Sequence, residues 1–276
     1  MNVLRRILFI VALPATAFVI LWFFSADIRD ELLPRQKRFF LPSLPKILEV
    51  FPDTWLLQRH TPAGDLPSRL THDVVPSLIR LGEGYGLALL IGIALGVAIG
   101  SSRPLRALLE PVLEFLRAIP PVALVPVLFL LAGIGDTTKI LVIISGCIWP
   151  ILLNTVEGVR GVDPTLADTC RSYRVGGLLR LRTFILRSAS PQIVTGARQA
   201  LSIGIILMVI SELKASSEGL GHTIQEFTEG FQYPQMWAGV LLLGLIGIVL
   251  SLLFRLVERR VLVWYHGQRV AERASS

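Results

Sequence analysis

The side chains that could catalyse a reaction or bind a metal are few and scattered along this sequence. Its four histidines lie far apart, and its two cysteines fall in different surroundings, Cys147 in an apolar segment and Cys170 in a basic one. None of them has metal-ligand spacing, and no nucleotide-binding glycine motif is present. No nucleophile is paired with a base. We therefore expect no catalytic residue, no metal site and no cofactor bound by this chain.

The residues that do cluster are arginines, in a polar stretch from residue 162 to residue 198. Asp163-Pro164 at its start is typical of a helix N-terminus, an N-cap residue followed by proline at the first helical position. The sequence then predicts a short helix over residues 166–174 that stops at Gly176-Gly177. A basic amphipathic segment follows over residues 178–187. A long polar stretch of this kind between two apolar segments indicates a surface that binds another protein.

Composition identifies the chain as a membrane protein. Of its 276 residues, 53% are hydrophobic, and the mean hydropathy is +0.64, which is too apolar for an ordinary soluble domain. The formal net charge of +7 could suggest a nucleic-acid partner. The arginines gather at the ends of apolar runs, however, as the positive-inside rule predicts for a protein embedded in lipid. We therefore expect membrane lipid as a partner and no nucleic acid.

The apolar segments predict about six transmembrane helices. They cover residues 7–24, 81–100, a proline-interrupted segment after residue 104, 140–156, 197–213 and 237–253. The first could be a signal peptide. Its apolar run is longer than a typical signal sequence, however, and it ends in Trp22-Phe23-Phe24 instead of small residues, so we expect it to be retained.

These segments divide the chain into four predicted parts. Residues 1–24 form an N-terminal transmembrane helix, and residues 25–77 form an extracytoplasmic segment with a helix at the membrane surface. Residues 78–256 form a core of five helices, which includes a cytoplasmic loop at 158–198. Residues 257–276 form a basic cytoplasmic tail.

The distribution of charge predicts the orientation. With both termini in the cytoplasm, the inner segments hold Arg103, Arg106, seven arginines within residues 160–198 and the arginines near both termini. The short outer loops hold only Lys139 and Lys214. This asymmetry predicts six spans with both termini inside.

Small residues recur every four positions in the second predicted span. They are Gly84, Ala88, Gly92, Gly96 and Gly100. A helical face almost without side chains lets another helix approach closely in lipid. We predict that this stripe packs against a helix of the same subunit or of a twin subunit. The alternative is that it lines a solute pathway.

Three prolines, Pro120, Pro121 and Pro126, fall within seven residues. Each proline removes a hydrogen-bond donor and clashes with the preceding helical turn, so the sequence predicts that no regular helix holds all three. Broken backbone at membrane depth occurs where protein or a water-filled cavity satisfies it, and transporters build substrate pathways from such segments. We predict that the segment lines a pathway. The alternative is a packing kink.

Two stretches carry motifs of a known family. Residues 166–198 contain Leu-Ala-x-x-x-Arg-Ser-Tyr, Phe-Ile-Leu, Ser-Pro and Thr-Gly-Ala-Arg, and residues 117–140 contain Arg-Ala-Ile-Pro-Pro-Val-Ala-Leu-Val-Pro and Gly-Ile-Gly-x-x-x-Lys-Ile. Together they resemble the bacterial ABC importer permeases, in particular the aliphatic sulfonate, taurine and nitrate group. The first stretch looks like the family's "EAA" coupling loop. The resemblance implies an all-α membrane protein with the MetI-like permease fold.

The chain departs from the family pattern at three places. The family's Glu-Ala-Ala reads Asp168-Thr169-Cys170 here, its next glycine is Arg174, and the proline of its Leu-Pro pair is Arg187. A glycine at the position of Arg174 would allow a tight turn. Whether the turn forms with arginine is left open by the sequence.

The resemblance also implies partners. In this family the short helix of the loop docks on an ATP-hydrolysing subunit. Here its residues would be Leu166, Ala167, Asp168, Cys170, Arg171, Ser172, Tyr173 and Arg174. The expected partners are an ABC ATPase that holds ATP and Mg²⁺, a second permease copy or paralogue, and an extracytoplasmic solute-binding protein. The expected location is the bacterial inner membrane.

Three functional classes compete: an ABC importer permease, a secondary transporter without an ATPase partner, and an intramembrane enzyme or scaffold. Proton-driven transporters need ionisable groups at mid-membrane, at a cost of about 2.5 kcal/mol or more each. The central stretches of the predicted spans contain none, since Glu83, Arg117, Glu157 and Glu212 lie near span ends. The sequence thus favours the importer. The resemblance implies a small anion such as a sulfonate, taurine or nitrate as its solute.

Overall fold

The computed structural model describes residues 39–57, 59–61, 64–162, 164–214 and 216–265. The first predicted span and the end of the basic tail lie outside these residues. The helices are α1 Leu44–Phe51, α2 Val75–Ser101, α3 Arg103–Ala118, α4 Pro121–Ala132, α5 Asp136–Arg160, α6 Pro164–Ser172, α7 Gly177–Arg180, α8 Leu186–Lys214, α9 Leu220–Glu229 and α10 Tyr233–Val261. Short π-helical segments cover Pro52–Leu56, Leu70–Val74 and Leu181–Ile185. Strands β1 Arg59–Thr61 and β2 Gly64–Leu66 pair as an antiparallel hairpin, with His60 opposite Asp65.

Four continuous helices in the described part are long and apolar enough to cross a membrane: Leu70–Ser101, Asp136–Arg160, Gly177–Leu213 and Tyr233–Val261. Helices α3 and α4 meet the same criterion only as a pair, and a bend of 90° separates them. The described part therefore holds four spans, or five if the bent pair counts as one. The predicted all-α membrane fold is confirmed.

One compact unit comprises the described residues from 39 to 72 and residues 223–242. Its described core is aromatic, because the fully buried Trp55 meets Phe227 edge to face with ring centroids 6.3 Å apart. A Cβ atom added at Gly239 would lie 2.9 Å from the Trp55 ring, so α10 can approach this ring only with glycine at that position.

Helix α1 belongs to the same unit and forms where the apolar spacing predicts a helix. Ile47 is fully buried, whereas Leu48 is 56% exposed. Its position at the membrane surface stays a prediction. The boundaries of the four predicted parts stay predictions as well.

The second unit comprises the described residues from 73 to 222 and from 243 to 265, and α5 packs between α2 and α8 within it. The small-residue stripe of α2 lies directly against α5. A Cβ atom added to each stripe glycine would come within 3 Å of one α5 side chain, in the pairs Gly84–Ile143, Gly92–Ile151, Gly96–Thr155 and Gly100–Val159. The paired numbers rise together, so α2 and α5 run in the same direction. The same offset places Ala88 opposite Cys147, and both are fully buried.

The proline segment breaks at Ile119 and Pro120. A residue that precedes proline is disfavoured in the helical region, and Ile119 (ψ 118°) and Pro120 (ψ 125°) are both extended. Pro121 then takes the first helical position of α4, where its missing N–H costs nothing.

Pro126 lies inside α4 whereas Pro120 lies outside it, so no single helix holds all three prolines, as the sequence predicts. An internal proline removes one backbone hydrogen bond. Unwinding the helix in an apolar setting would leave several more backbone N–H and C=O groups without a hydrogen bond. The helix therefore continues.

Candidate functional site

The predicted docking residues lie on α6 and on the turn that follows it. The helix begins at Pro164, as the sequence predicts, and it ends at Ser172 instead of Arg174. The N-cap predicted at Asp163 lies outside the described residues. The basic segment that follows is also helical, because α7, a π-helical segment and α8 continue one another from Gly177.

Arg174 ends α6 by adopting a left-handed backbone conformation, with φ at +49°. The Val175 amide donates to the Cys170 carbonyl at 2.9 Å, and the Tyr173 amide donates to the Thr169 carbonyl at 3.0 Å. The first of these bonds is characteristic of a Schellman cap, whose left-handed residue is usually glycine. The tight turn therefore forms with arginine where the family has glycine. Left-handed backbone costs a non-glycine residue about 1–2 kcal/mol.

The described docking residues divide into a surface set and one buried member. Asp168, Ser172, Tyr173 and Arg174 are exposed, Tyr173 to 80%, whereas Cys170 is buried at 2%. The side chains of Leu166, Ala167 and Arg171 lie outside the described part. Helix α6 thus offers a polar and aromatic face to the surroundings and anchors itself through Cys170.

A second group of polar residues, which is not among the predicted site residues, lies at the opposite ends of α2 and α5. Its centre is Arg80, which is 3% exposed. The guanidinium group pairs with Asp136 at 2.7 Å, with Glu212 at 3.1 Å and with Glu218 at 2.5 Å. One arginine therefore joins α2 to the start of α5, to the end of α8 and to the loop after α8.

Glu212 is almost fully buried, and its carboxylate is well satisfied. It accepts hydrogen bonds from the Ser77 hydroxyl at 2.7 Å and from the Gly221 amide at 2.9 Å, besides the Arg80 contact. Gly219 has φ +121°, and a Cβ atom there would lie 2.6 Å from the Glu212 carboxylate carbon. The Leu220 amide also donates to the Ser77 hydroxyl oxygen at 2.9 Å. The Gly-Leu-Gly turn is thereby held tightly on the ends of α2 and α8.

One sequence signal could have indicated this cluster. Arg80 directly precedes an apolar run, and a buried arginine requires an acidic partner. The sequence gives no means of choosing that partner. The cluster also includes Lys139, which is 5% exposed and pairs with Asp136 at 3.2 Å. The lysine that the charge distribution places in a short outer loop is therefore paired with a carboxylate.

The three prolines lie at the start of α4 and within it. A Cβ atom at Gly146, in the middle of α5, would lie 3.3 Å from Pro121, so the start of α4 packs on that helix. Pro120 and Pro126 are exposed. Their role in lining a pathway stays a prediction.

A family model described as "Binding-protein-dependent transport system inner membrane component" matches residues 88–263, which include the core of α2, α5 and α8 and the predicted coupling loop. The chain belongs to this family. It is therefore a membrane permease component of binding-protein-dependent transport, and the first of the three functional classes is confirmed.

Individual relatives of this chain are also named as transport system permease proteins. It is 32% identical to the taurine transport system permease protein TauC of Escherichia coli (strain K12), over 83% of this chain and 81% of that protein. It is 29% identical to the bicarbonate transport system permease protein CmpB of Synechococcus elongatus, over 89% of this chain and 86% of that protein. Inward-facing MetNI methionine ABC transporter structures include a chain of similar fold, with TM-score 0.59, 19% identity, and coverage of 67% of this chain and 93% of that chain. The predicted MetI-like permease fold is confirmed.

Proposed function

We propose that this permease imports a small oxyanion, and that a separate ABC ATPase drives it by docking on α6 and the Arg174 turn. The observation that carries the proposal is that the short helix α6 exposes one face and that hydrogen bonds of the Arg174 turn cap its C-terminal end. Support for the solute comes from the relatives, since taurine and bicarbonate are both small solutes with an acidic oxygen group.

The position of α6 suits it to transmit movement. Only residues 161–163 separate it from α5, and its other side continues through α7 into α8. Helices α5 and α8 pack closely on each other, so a force on α6 reaches both helices of the core. Closure of two ATPase subunits would draw two copies of α6 together and rock these helices as bodies.

The buried Arg80 cluster supports this mode of movement. It ties α2, α5 and α8 at the ends remote from Arg103 and Arg160, so the three helices would turn as one body. The break at Pro120 leaves α4 free to change its angle to α3, and we propose that α4 lines the pathway. We propose that the arginine-rich ends face the cytoplasm, because Arg80 and Lys139 at the other ends are paired with carboxylates.

The permease is expected to work as a pair. The long apolar face of α10 is largely unburied in the single chain, and Leu130 and Leu131 of α4 are 87% and 79% exposed. We propose that membrane lipid and a second permease copy or paralogue cover these surfaces. An extracytoplasmic binding protein would deliver the solute to the pair.

The test is reconstitution of the full chain with its ATPase and binding protein in proteoliposomes. We expect binding-protein-stimulated ATP hydrolysis and oxyanion uptake that a protonophore does not affect. Asp168→Lys and Tyr173→Asp should each abolish uptake while leaving insertion intact. Glu83→Lys, at an exposed position of α2, is the matched control and should transport normally.

Two results would contradict the proposal. Normal uptake by both α6 variants would show that the ATPase docks elsewhere. Uptake that needs only a proton gradient, without ATP, would exclude an ATPase as the energy source.

A further inference from the structure

We infer that a cavity beside α6 binds a phosphate- or sulfonate-type oxyanion group. The cavity lies where α2 and α5 end, and its volume is about 430 Å³, within the usual range for small-ligand pockets. Its charged lining consists of four arginines, Arg103, Arg106, Arg160 and Arg180, and Ser101 also lines it. The inference goes beyond the proposed import function. It concerns a binding site on the permease itself that is separate from the proline segment proposed to line the solute pathway.

The positive charge of Arg103 and Arg180 is uncompensated within the described part of the chain. None of the described lining residues is acidic. Arg160 has a partner, Glu157, at 2.6 Å. Among the described residues, no carboxylate lies within ion-pair distance of Arg103, Arg106 or Arg180. Like charges that share a partly enclosed cavity repel one another, and a bound anion would remove that cost.

A neighbouring cavity provides an internal comparison. It has a volume of about 220 Å³ and shares Arg106 and Arg160 with the first. Its charged lining is balanced, with three arginines against three glutamates: Arg106, Arg117, Arg160, Glu110, Glu114 and Glu157. Elsewhere in this protein, arginines at the end of a membrane helix are therefore accompanied by acidic residues. The larger cavity differs because none of its described lining residues is acidic.

The chemistry of the lining selects the ligand. Guanidinium groups present N–H donors in a planar fork that matches the oxygens of phosphate, sulfonate or carboxylate. The group could belong to a soluble anion or to the headgroup of an anionic phospholipid. Either would bridge the ends of α2 and α5 to Cys170 on α6 and to Arg180 on α7, which also line the cavity. An occupant would thus fix the position of α6.

The experiment uses the full chain in lipid nanodiscs. In phosphatidylcholine nanodiscs, binding of radiolabelled inorganic phosphate tests for a soluble ligand. In nanodiscs that also contain phosphatidylglycerol, native mass spectrometry of retained lipid tests for a headgroup. We expect one of the two to bind, and Arg103→Gln or Arg180→Gln to weaken that binding about tenfold or more, as for the loss of a charged hydrogen bond.

Arg117→Gln is the matched control, because Arg117 lines the balanced cavity but not the larger one, and it lies 3.9 Å from Glu114. It should leave binding unchanged. Arg103→Lys keeps the charge and should retain part of the affinity, which separates a ligand contact from misfolding. Absence of both phosphate binding and selective lipid retention would overturn the inference. Equal weakening by Arg117→Gln would overturn it as well.

Discussion

Arg80 on α2 and Glu212 on α8 form an ion pair of 3.1 Å, and neither side chain is more than 3% exposed. The two residues are 132 positions apart in the chain. Because Arg80 also contacts Asp136 and Glu218, one guanidinium group fixes the relative positions of three core helices.

The two members of this pair should respond differently to neutralisation. Arg80→Met leaves the Glu212 carboxylate buried without its cation, and we expect a loss of about 3–5 kcal/mol in stability. Glu212→Gln keeps an acceptor for Ser77, and Arg80 retains two other carboxylates, so the expected loss is about 1–3 kcal/mol. Thermal unfolding of the purified chain measures both.

The double variant Arg80→Met with Glu212→Gln completes a double-mutant cycle, which measures the coupling between the two side chains. It should be more stable than the sum of the single losses predicts, because the buried carboxylate is then absent. Additive losses would show that the two side chains are not coupled.

Gly219 should not tolerate a side chain. Its φ of +121° is unfavourable for other residues, and a Cβ atom would lie 2.6 Å from the Glu212 carboxylate carbon. We expect Gly219→Ala to release the turn and to increase hydrogen exchange at the Gly221 amide. Gly176→Ala is the control, since no atom lies within 4 Å of a Cβ atom there.

The α2 stripe gives a prediction with its own control on the same helix. A Cβ atom at Gly96 would lie 2.5 Å from the Thr155 Cβ atom, so Gly96→Ala should force α2 from α5 and cost about 1–3 kcal/mol. Gly86 has no atom within 4 Å, so Gly86→Ala should be neutral or stabilising. Thermal unfolding distinguishes them, and equal effects would contradict the α2–α5 register.

Arg174→Gly should tighten the end of α6. Glycine adopts the left-handed conformation without steric cost, so the cap should gain about 1 kcal/mol. Slower hydrogen exchange at the Val175 amide is the expected readout. Ser172→Gly, at the last residue of the helix, should have the opposite effect. Faster exchange in Arg174→Gly would show that the arginine side chain stabilises the turn.

The bend between α3 and α4 should depend on Pro120 and Pro121 and not on Pro126. With Pro120→Ala and Pro121→Ala together, residues 119 and 120 both regain access to helical backbone, so the 90° angle should open or vary. Pro126→Ala restores one backbone hydrogen bond inside α4 and should leave the angle unchanged. Spin labels at Leu108 and Leu130, both largely exposed, report the angle through their distance.

The prolines and the coupling loop show how far local sequence could be interpreted. The start of α6 at Pro164 follows from a local rule, and so does the break at Pro120. The number of prolines does not say where in a helix each one falls, so the sequence could not show that Pro126 lies inside α4. The end of α6 was set by Arg174 in a conformation that the sequence left open.

The sequence by itself determined the all-α membrane class, the positions of most spans, the small-residue stripe and the family. Each depends on residues close together in the chain, because the length of an apolar run and its periodicity are local properties. Only the tertiary structure decided that the stripe faces α5, that Arg80 meets Glu212, and that Arg103 and Arg180 line one cavity. These pairings depend on which helices become neighbours, and that is fixed by close packing of distant segments.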